Sequence, residues 1–293
     1  MSYINTKNQE EINAIIRRVQ QYELEILEQI NRICQDHQLT CFAVGGSVLG
    51  AVRHKGFIPW DDDIDLAMPR QDYEEFLRIA AEELDDRFVV QNFSTEPRTP
   101  FYFTKIRRNN TMFVEYQVRD YSINHGIFVD IFPFDAVPDN RYLRKVQYKV
   151  SWMLYQMYLS KSLKTVYSSR LLNTAYETAE IRAQVIKKAR IRRLLHGLLT
   201  PIPKKWIYKG LDACVRMHNG KPHTEIAHIV RKRLRVKQKD LLPICHLPFE
   251  NTYMPVPNNY DSYLRGQFGN YMAMPSKDKR YGHLPYYVEF EEE

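Results

Sequence analysis

The order of apolar and polar residues along the chain predicts alternating helices and strands. Between Glu10 and Gln35, apolar residues recur every three or four positions with charges between them, which is typical of an amphipathic helix. Short apolar runs bounded by Gly, Pro or Asn are typical of buried strands. Helices are predicted at residues 10–35, 48–53, 72–84, 141–163, 175–199, 204–218 and 260–268. Strands are predicted at residues 39–44, 64–68, 88–93, 101–107, 111–116, 126–132 and 227–230, with an extended segment at 249–256.

This order predicts an α+β fold in two portions. The division falls after Pro138, where the predicted elements become mainly helical. Residues 1–138 are expected to form a mixed β-sheet flanked by helices, in which Asn109 and Asn110 make a tight hairpin turn. Residues 139–293 are expected to form a mainly helical, basic portion that adds a strand and a C-terminal tail.

The composition indicates a globular protein, because 44% of the 293 residues are hydrophobic and can form a sizeable core. No apolar run is long enough to span a bilayer and the N-terminus lacks a signal-peptide core, so we expect a cytoplasmic protein. The four irregularly spaced cysteines are expected to be free thiols. The net charge is +7, and residues 181–211 carry nine Lys or Arg and no acid. That block indicates either a partner with negative charge or a solvated helical face.

The densest group of charged residues is acidic. Four carboxylates fall within five residues, at Asp61, Asp62, Asp63 and Asp65. Each carboxylate raises the cost of ionising the next, so we expect a bound cation, and oxygen ligands suit a divalent metal. Because alternate residues of a strand share a face, Asp63 and Asp65 are predicted to project together. A calcium-binding EF-hand loop is excluded, since Leu66 stands where that loop needs glycine.

A phosphate site is predicted just before this acidic cluster. Gly45, Gly46 and Ser47 follow a strand and open a short helix, with Ser47 as its N-cap, so backbone N–H groups and the helix dipole can hold phosphate. A third carboxylate is expected from Asp130, an isolated acid on an apolar strand. Asp135 is the second choice, and the alternative role for Asp135 is to cap the turn at Pro138. This combination predicts a nucleotidyltransferase-like site.

Three separated segments resemble the LicD family: residues 45–70, residues 126–135, and the block from Phe268 to His283. The resemblance implies a nucleotidyltransferase-like fold that moves a phospho-alcohol from a CDP-activated donor to a hydroxyl of a cell-surface glycan such as teichoic acid, capsule or lipopolysaccharide. It further implies that Asp63, Asp65 and Asp130 hold Mg²⁺ or Mn²⁺. Asp61 or Asp62 then lies just outside the metal ligands or accepts the proton of the acceptor hydroxyl.

Several cations are further candidates for binding the donor. Arg53 ends the short helix after Ser47 and is expected either to reach a phosphate or to lie at the surface. Lys105 is expected either to contact phosphate or to lie on an edge strand, where its charge would prevent pairing with another chain. Lys279, Arg280 and His283 lie in the tail, which is expected to return to the active site. The basic helix at 187–199 is expected either to lie on the inner membrane leaflet, near a lipid-linked glycan, or to pack on the catalytic portion.

The predicted function is therefore the metal-assisted transfer of phosphocholine, with glycerol phosphate or ribitol phosphate as alternatives. A rival enzyme class is a true nucleotidyltransferase, which releases pyrophosphate. A non-enzymatic alternative is a nucleic-acid-binding protein that uses the basic residues of 181–239. We expect no nucleic-acid partner, because the acidic cluster repels a phosphate backbone.

Overall fold

The computed structural model describes residues 2–3, 8–162, 190–231, 234–276, 280, 282 and 284–291. The helices in these ranges are α1 (Gln9–Asp36), α2 (Gly45–His54), α3 (Arg70–Glu83), α4 (Arg141–Ser162), α5 (described at 190–198), α6 (Lys204–Arg216), α7 (Gln238–Leu241) and α8 (Tyr260–Phe268). The strands are β1 (Ser2–Tyr3), β2 (Phe42–Ala43), β3 (Asp65–Pro69), β4 (Phe88–Gln91), β5 (Thr104–Arg108), β6 (Met112–Val114), β7 (Phe128–Val137), β8 (Glu225–Ala227), β9 (Arg235–Lys237), β10 (Cys245–Phe249), β11 (Thr252–Val256) and β12 (Tyr287–Glu289).

The central sheet has seven strands, and β7 is its longest member. The order is β2-β3-β7-β5-β4, and β8 and β9 extend the sheet from the C-terminal half of β7. β3 and β7 run parallel, while the other described pairs of this sheet are antiparallel. The predicted α+β fold with a mixed sheet is therefore confirmed. β10 and β11 form a separate hairpin, and β12 pairs with both β1 and β6.

The long first helix is confirmed nearly to the residue. A capping box begins α1, in which the Asn8 side chain accepts from the N–H of Glu11 and the Glu11 carboxylate accepts from the N–H of Asn8. The apolar stripe of α1 then packs against the sheet, with Ile26, Leu27 and Ile30 fully buried. Burial of each such side chain stabilises the fold by about 2 kcal/mol.

Two of the local predictions for the sheet are wrong. The strand expected at 39–44 is reduced to Phe42–Ala43. The Asn109-Asn110 turn is present, with Asn110 in the left-handed region, but β6 does not return along β5. Both edges of β5 are already occupied by β4 and β7, so β6 pairs with β12 instead.

The residues after 138 share the core of the sheet. Ile226, Val256 and Leu264 are buried in the same apolar cluster as Ile26 and Leu66. The predicted helices at 141–163, 204–218 and 260–268 are confirmed, whereas most of the helix predicted at 175–199 lies outside the described residues. The division at residue 138 stays a prediction. Within the described ranges, no helix has the length and apolar character needed to cross a bilayer.

A buried ion pair ties β7 to the start of α3. The Arg70 guanidinium donates to both oxygens of Asp135, at 2.9 and 2.7 Å, and the Asn219 side chain donates to the same carboxylate. The turn-capping role expected for Asp135 is wrong, because β7 continues to Val137 and keeps this residue within the sheet. The Asp135 carboxylate is almost inaccessible to solvent and depends on Arg70 for its neutralisation, while Arg70 has a second, longer ion pair with Asp212 at 3.8 Å.

We predict that Asp135→Ala lowers the free energy of unfolding by about 3 kcal/mol, because it leaves the largely buried Arg70 charge with only the longer ion pair to Asp212, at 3.8 Å. Urea denaturation followed by circular dichroism measures this loss. The matched control is Glu75→Ala, which breaks an exposed ion pair with Arg78 on α3 and should leave the midpoint almost unchanged. Equal losses in the two variants would contradict the importance of the buried pair.

Candidate active site

Three adjacent strands place charged side chains in one row. In the register of the sheet, Asp65 at the start of β3 lies beside Asp130 of β7, and Asp130 lies beside Lys105 of β5. Side chains at paired positions project to the same face of a sheet, with their Cβ atoms about 5 Å apart. The Lys105 ammonium donates to Asp130 at 2.8 Å. The sheet thus brings together two of the predicted metal ligands and one predicted phosphate contact.

The other carboxylates of the acidic cluster lie in the loop before β3. Asp63 precedes the strand instead of belonging to it, so the prediction that Asp63 and Asp65 share one strand is wrong. The strand starts at Asp65, where its backbone N–H donates to the Ser47 hydroxyl at 2.8 Å. Even so, Asp62, Asp63 and Asp65 reach one cavity, which also includes Asp130. Asp61 is turned toward α2, where a Cβ on Gly46 would lie 2.7 Å from its carboxylate.

The cavity has a volume of about 280 Å³ and is lined by three chemically different groups of residues. The carboxylates form one part, and three cations and an aromatic wall form the others. The cations are Lys105, Arg192 and Arg231. The aromatic residues are Phe101, Phe103, Phe113, Tyr116, Phe128 and Tyr155. The cavity therefore offers places for a metal, for phosphates and for an apolar or cationic group.

Burial and mutual repulsion raise the pKa values of Asp61, Asp65 and Asp130. Desolvation, followed by the charges of Asp63 and Asp130, holds the pKa of Asp65 well above its usual range. Desolvation and the charge of Asp63 likewise raise the pKa of Asp61. Burial raises the pKa of Asp130 to about 6, although the nearby Lys105 ammonium lowers it. A bound divalent cation would offset this repulsion.

Glu23 does not line the cavity but lies close enough to the acidic loop to feel its charges, and the sequence analysis does not select it. This α1 residue is 1% exposed, and its Oε2 atom has no hydrogen-bond partner. Desolvation, together with the charges of Asp63, Asp62 and Asp61, holds the pKa of Glu23 well above its usual range. One sequence signal could have revealed it, because Gln20 and Glu23 occupy positions within the apolar stripe of α1. Gln20 donates to the Asp61 carbonyl at 2.8 Å, so α1 contacts the acidic loop directly.

Gly45 and Ser47 of the predicted phosphate site make hydrogen bonds to other parts of the protein. α2 begins at Gly45, so Ser47 lies within the helix and its N-cap role is wrong. The Ser47 hydroxyl instead accepts from Asp65, and the Gly45 N–H donates to the Tyr263 hydroxyl at 2.9 Å. Gly45 has a φ of +58°, a conformation that favours glycine. Gly45, Gly46 and Ser47 adjoin the acidic cluster but do not line the cavity, so their phosphate role stays a prediction.

Lys105 and Arg53, the two candidate phosphate contacts, lie in different surroundings in the structure. Lys105 is buried at the centre of the site, with its ammonium 3.2 Å from the ring centroid of Phe128, and the edge-strand alternative is wrong because β5 is an interior strand. Arg53 does not line the cavity. Its guanidinium donates to the carbonyl of Tyr271 at 3.0 Å and so holds the segment after α8.

The described residues of the tail approach the acidic loop, while the return of the tail to an active site stays a prediction. Leu284 lines the cavity, and Arg280 lies over the Trp60 ring at 5.5 Å. A Cβ on Gly282 would lie 2.3 Å from the Trp60 carbonyl and 2.8 Å from the Asp62 carboxylate, so only glycine fits there. Lys279 and His283, which the sequence also nominates, lie outside the described residues.

The donor set suits a hard divalent cation, but the ligands are not closed around one position. Carboxylate oxygens are the ligands that Mg²⁺ and Mn²⁺ prefer, and the orphaned Glu23 oxygen points to a missing positive charge. Across the described ranges, however, no three His, Cys, Asp or Glu side chains are close enough to hold a metal as they stand. Lys105 already occupies one oxygen of Asp130. A metal at this site therefore requires the carboxylates to draw together.

We predict that Glu23→Gln raises the melting temperature of the metal-free protein at pH 7.5. The pKa of Glu23 is higher in the folded state than in the unfolded chain. This acid therefore lowers the stability of the folded state once the pH rises above the pKa that Glu23 has in the unfolded chain. Glutamine removes that penalty, and differential scanning calorimetry should show the gain shrinking towards pH 4. Glu28→Gln, on the exposed side of α1, is the control. A lower melting temperature for Glu23→Gln at pH 7.5 would contradict the claim that burial and the neighbouring carboxylates make Glu23 destabilising.

Comparison with known proteins finds one family model and one similar enzyme. Residues 38–173 match the family model described as LicD/FKTN/FKRP, nucleotidyltransferase domain. The chain is also 24% identical to the lipopolysaccharide cholinephosphotransferase LicD of Haemophilus influenzae, over 278 residues that cover 92% of this chain and 95% of that protein. The family match spans the acidic cluster, Lys105 and Asp130. Residues 38–173 are therefore similar to the nucleotidyltransferase domain of the LicD/FKTN/FKRP family.

Proposed function

We propose that this protein transfers phosphocholine from a CDP-activated donor to a hydroxyl group of a cell-surface glycan, with the help of a divalent metal. One observation carries the proposal: a single cavity combines carboxylates, cations and an aromatic wall. The similarity to a lipopolysaccharide cholinephosphotransferase supports the same substrate class. The four cysteines have free thiols, which favours a reducing compartment, and we place the reaction in the cytoplasm.

The carboxylates would hold Mg²⁺ or Mn²⁺, with Asp63, Asp65 and Asp130 as the proposed ligands. Such an ion neutralises charge that develops on the phosphates as the bond to the leaving nucleotide breaks. Asp62 lines the cavity whereas Asp61 is turned toward α2, so we assign Asp62 to accept the proton of the attacking hydroxyl. Asp61 then helps to hold the loop, together with its backbone contact to Gln20.

The cations of the cavity suit the phosphates of the donor. Lys105 lies beside Asp130, and the charge of Arg231 acts on Asp65, so both cations are close to the proposed metal position. Arg192 enters the cavity from α5. A guanidinium group can bind two phosphate oxygens at once, which helps to orient the group that is transferred.

The aromatic wall suits the trimethylammonium group of choline. A quaternary ammonium ion gains about 1–2 kcal/mol from contact with the face of an aromatic ring in a dry site. Tyr116 and Tyr155 line the cavity and supply such faces, and Glu115 adds a carboxylate to the same wall. Glycerol and ribitol carry no cation and would gain little from these rings.

The first test measures which nucleotide is released. With CDP-choline, Mg²⁺ and lipopolysaccharide that lacks phosphocholine, we expect CMP release, and Asp65→Asn should lower kcat at least roughly 100-fold because it weakens the charge stabilisation. EDTA should abolish turnover, and Mg²⁺ should restore it. Asp120→Asn, a change of an exposed carboxylate, is the matched control. Pyrophosphate release from CTP, without turnover of CDP-choline, would instead establish a nucleotidyltransferase.

The second test measures the choice of alcohol. We expect Tyr116→Leu and Tyr155→Leu to raise the KM for CDP-choline roughly tenfold through loss of the cation–π contact, with no comparable change for CDP-ribitol or CDP-glycerol. Tyr142→Leu, at an exposed tyrosine of α4, serves as the control. If the unmodified protein uses CDP-ribitol or CDP-glycerol better than CDP-choline, the assignment of phosphocholine is wrong.

A further inference from the structure

The helix α4 has an inverted distribution of polar and apolar residues. Its buried residues are Gln147, Ser151, Ser160 and Ser162, together with Tyr158. Its exposed side includes Tyr142, Val146, Trp152 and Met153, each more than half exposed. A helix that simply packs on a globular core has the opposite arrangement. The outer side of α4 therefore exposes apolar surface that requires an explanation.

Hydrogen bonds to α6 explain why the inner side of α4 is polar. The Gln147 side chain donates to the carbonyls of Cys214 and Val215, both at 3.1 Å, and the Ser151 hydroxyl contacts the Cys214 thiol at 3.3 Å. These contacts satisfy the buried polar groups. They do not require apolar residues on the opposite side, so the exposed stripe needs a separate cause.

The helix α5 continues the same kind of surface. Ile191, Leu194 and Leu198 fall on one side of α5, and each is at least half exposed. The His196 ring contacts the Ser160 carbonyl at 2.9 Å, and the Lys161 ammonium donates to the Leu199 carbonyl at 2.8 Å, so the two helices are joined. We call the exposed residues of the two helices the outer face: Tyr142, Val146, Trp152, Met153, Ile191, Leu194 and Leu198.

The charged residues of α4 and α5 have one sign, although Arg192 lies in the cavity and Arg144 pairs with Glu225. α4 contains five Lys or Arg residues, and residues 190–198 contain three. Neither segment contains Asp or Glu. Exposed apolar side chains flanked by cations are typical of helices that lie in the interface of an anionic bilayer. A nucleic acid would use the cations but would gain nothing from the aliphatic stripe.

The inner sides of these two helices lead to the active site. Tyr155 and Leu159 of α4 and Arg192 of α5 line the cavity that contains the carboxylates. A bilayer that covers the outer face would therefore lie one helix layer from this cavity. That position would suit an acceptor glycan whose anchor remains in the membrane.

We propose that the outer face binds the surface of an anionic lipid bilayer. The helices lie in the headgroup region, with Trp152, Leu194 and Leu198 inserted among the acyl chains. The cations Lys145 and Lys149 lie on the same side of α4 and contact lipid phosphates. This surface is independent of the reaction that the protein catalyses, so it can be tested without a substrate.

The test is co-sedimentation of the full chain with sucrose-loaded vesicles. We expect binding to vesicles of phosphatidylglycerol and phosphatidylcholine, and binding at least roughly tenfold weaker to phosphatidylcholine alone or in high salt. The double variant Met153→Glu with Leu194→Glu should lose binding, while circular dichroism shows an unchanged fold. Leu242→Glu, an exposed apolar residue outside both helices, is the matched control and should bind normally.

Each other outcome overturns the proposal, and two of them identify a different occupant of the outer face. If the unmodified chain ignores the vesicles and sediments as a dimer that the double variant converts to a monomer, a second copy covers the outer face. If it remains a monomer without vesicle binding and the double variant melts at a lower temperature, another part of the chain covers the face. Equal binding to neutral and anionic vesicles would exclude recognition of anionic lipid.

Discussion

Burying several carboxylates in one cavity carries an electrostatic cost that the surrounding structure has to offset. Lys105 provides the main internal compensation, because its ammonium bonds to Asp130 and lies on the Phe128 ring. The compensation continues outward, since Glu115 lies 3.5 Å from Lys105 and 3.7 Å from Arg107. Charges of alternating sign thus run from the acidic loop into the sheet. One lysine cannot balance all the acids, which is why the site favours a further cation.

The electrostatic cost of burying these carboxylates also explains why distant parts of the chain meet at this cavity. Water would screen the carboxylates if it could enter freely, so keeping them available for a metal and phosphates requires cover from several sides. α1 provides one side through Gln20 and Glu23, and the tail provides another through Gly282 and Leu284. α8 supports the turn below, where Tyr263 binds Gly45. Residues from both ends of the sequence are therefore needed for one site.

The sequence predicts those features that depend on local patterns. Periodicity predicts α1, and the isolated acid on an apolar strand, Asp130, lines the same cavity as Asp63 and Asp65, while its role as a metal ligand stays a prediction. Pairing between distant strands has no local pattern, so the partner of β6 and the interior position of β5 are missed. Glu23 is missed because one acid on an amphipathic helix resembles a solvent-facing residue until the neighbouring loop is known. Arg192 and Arg231 are similarly hidden among many surface cations.

The strand β7 contains two acidic residues with different structural roles. Asp130 faces the cavity, and Asp135 binds Arg70 and Asn219. They are five positions apart, and an odd spacing in a strand sends side chains to opposite sides of the sheet. Adding or removing one residue between them would turn one acid to the wrong side. Loops elsewhere can change length during evolution, but we expect the distance between these two acids to be fixed by the pleat itself.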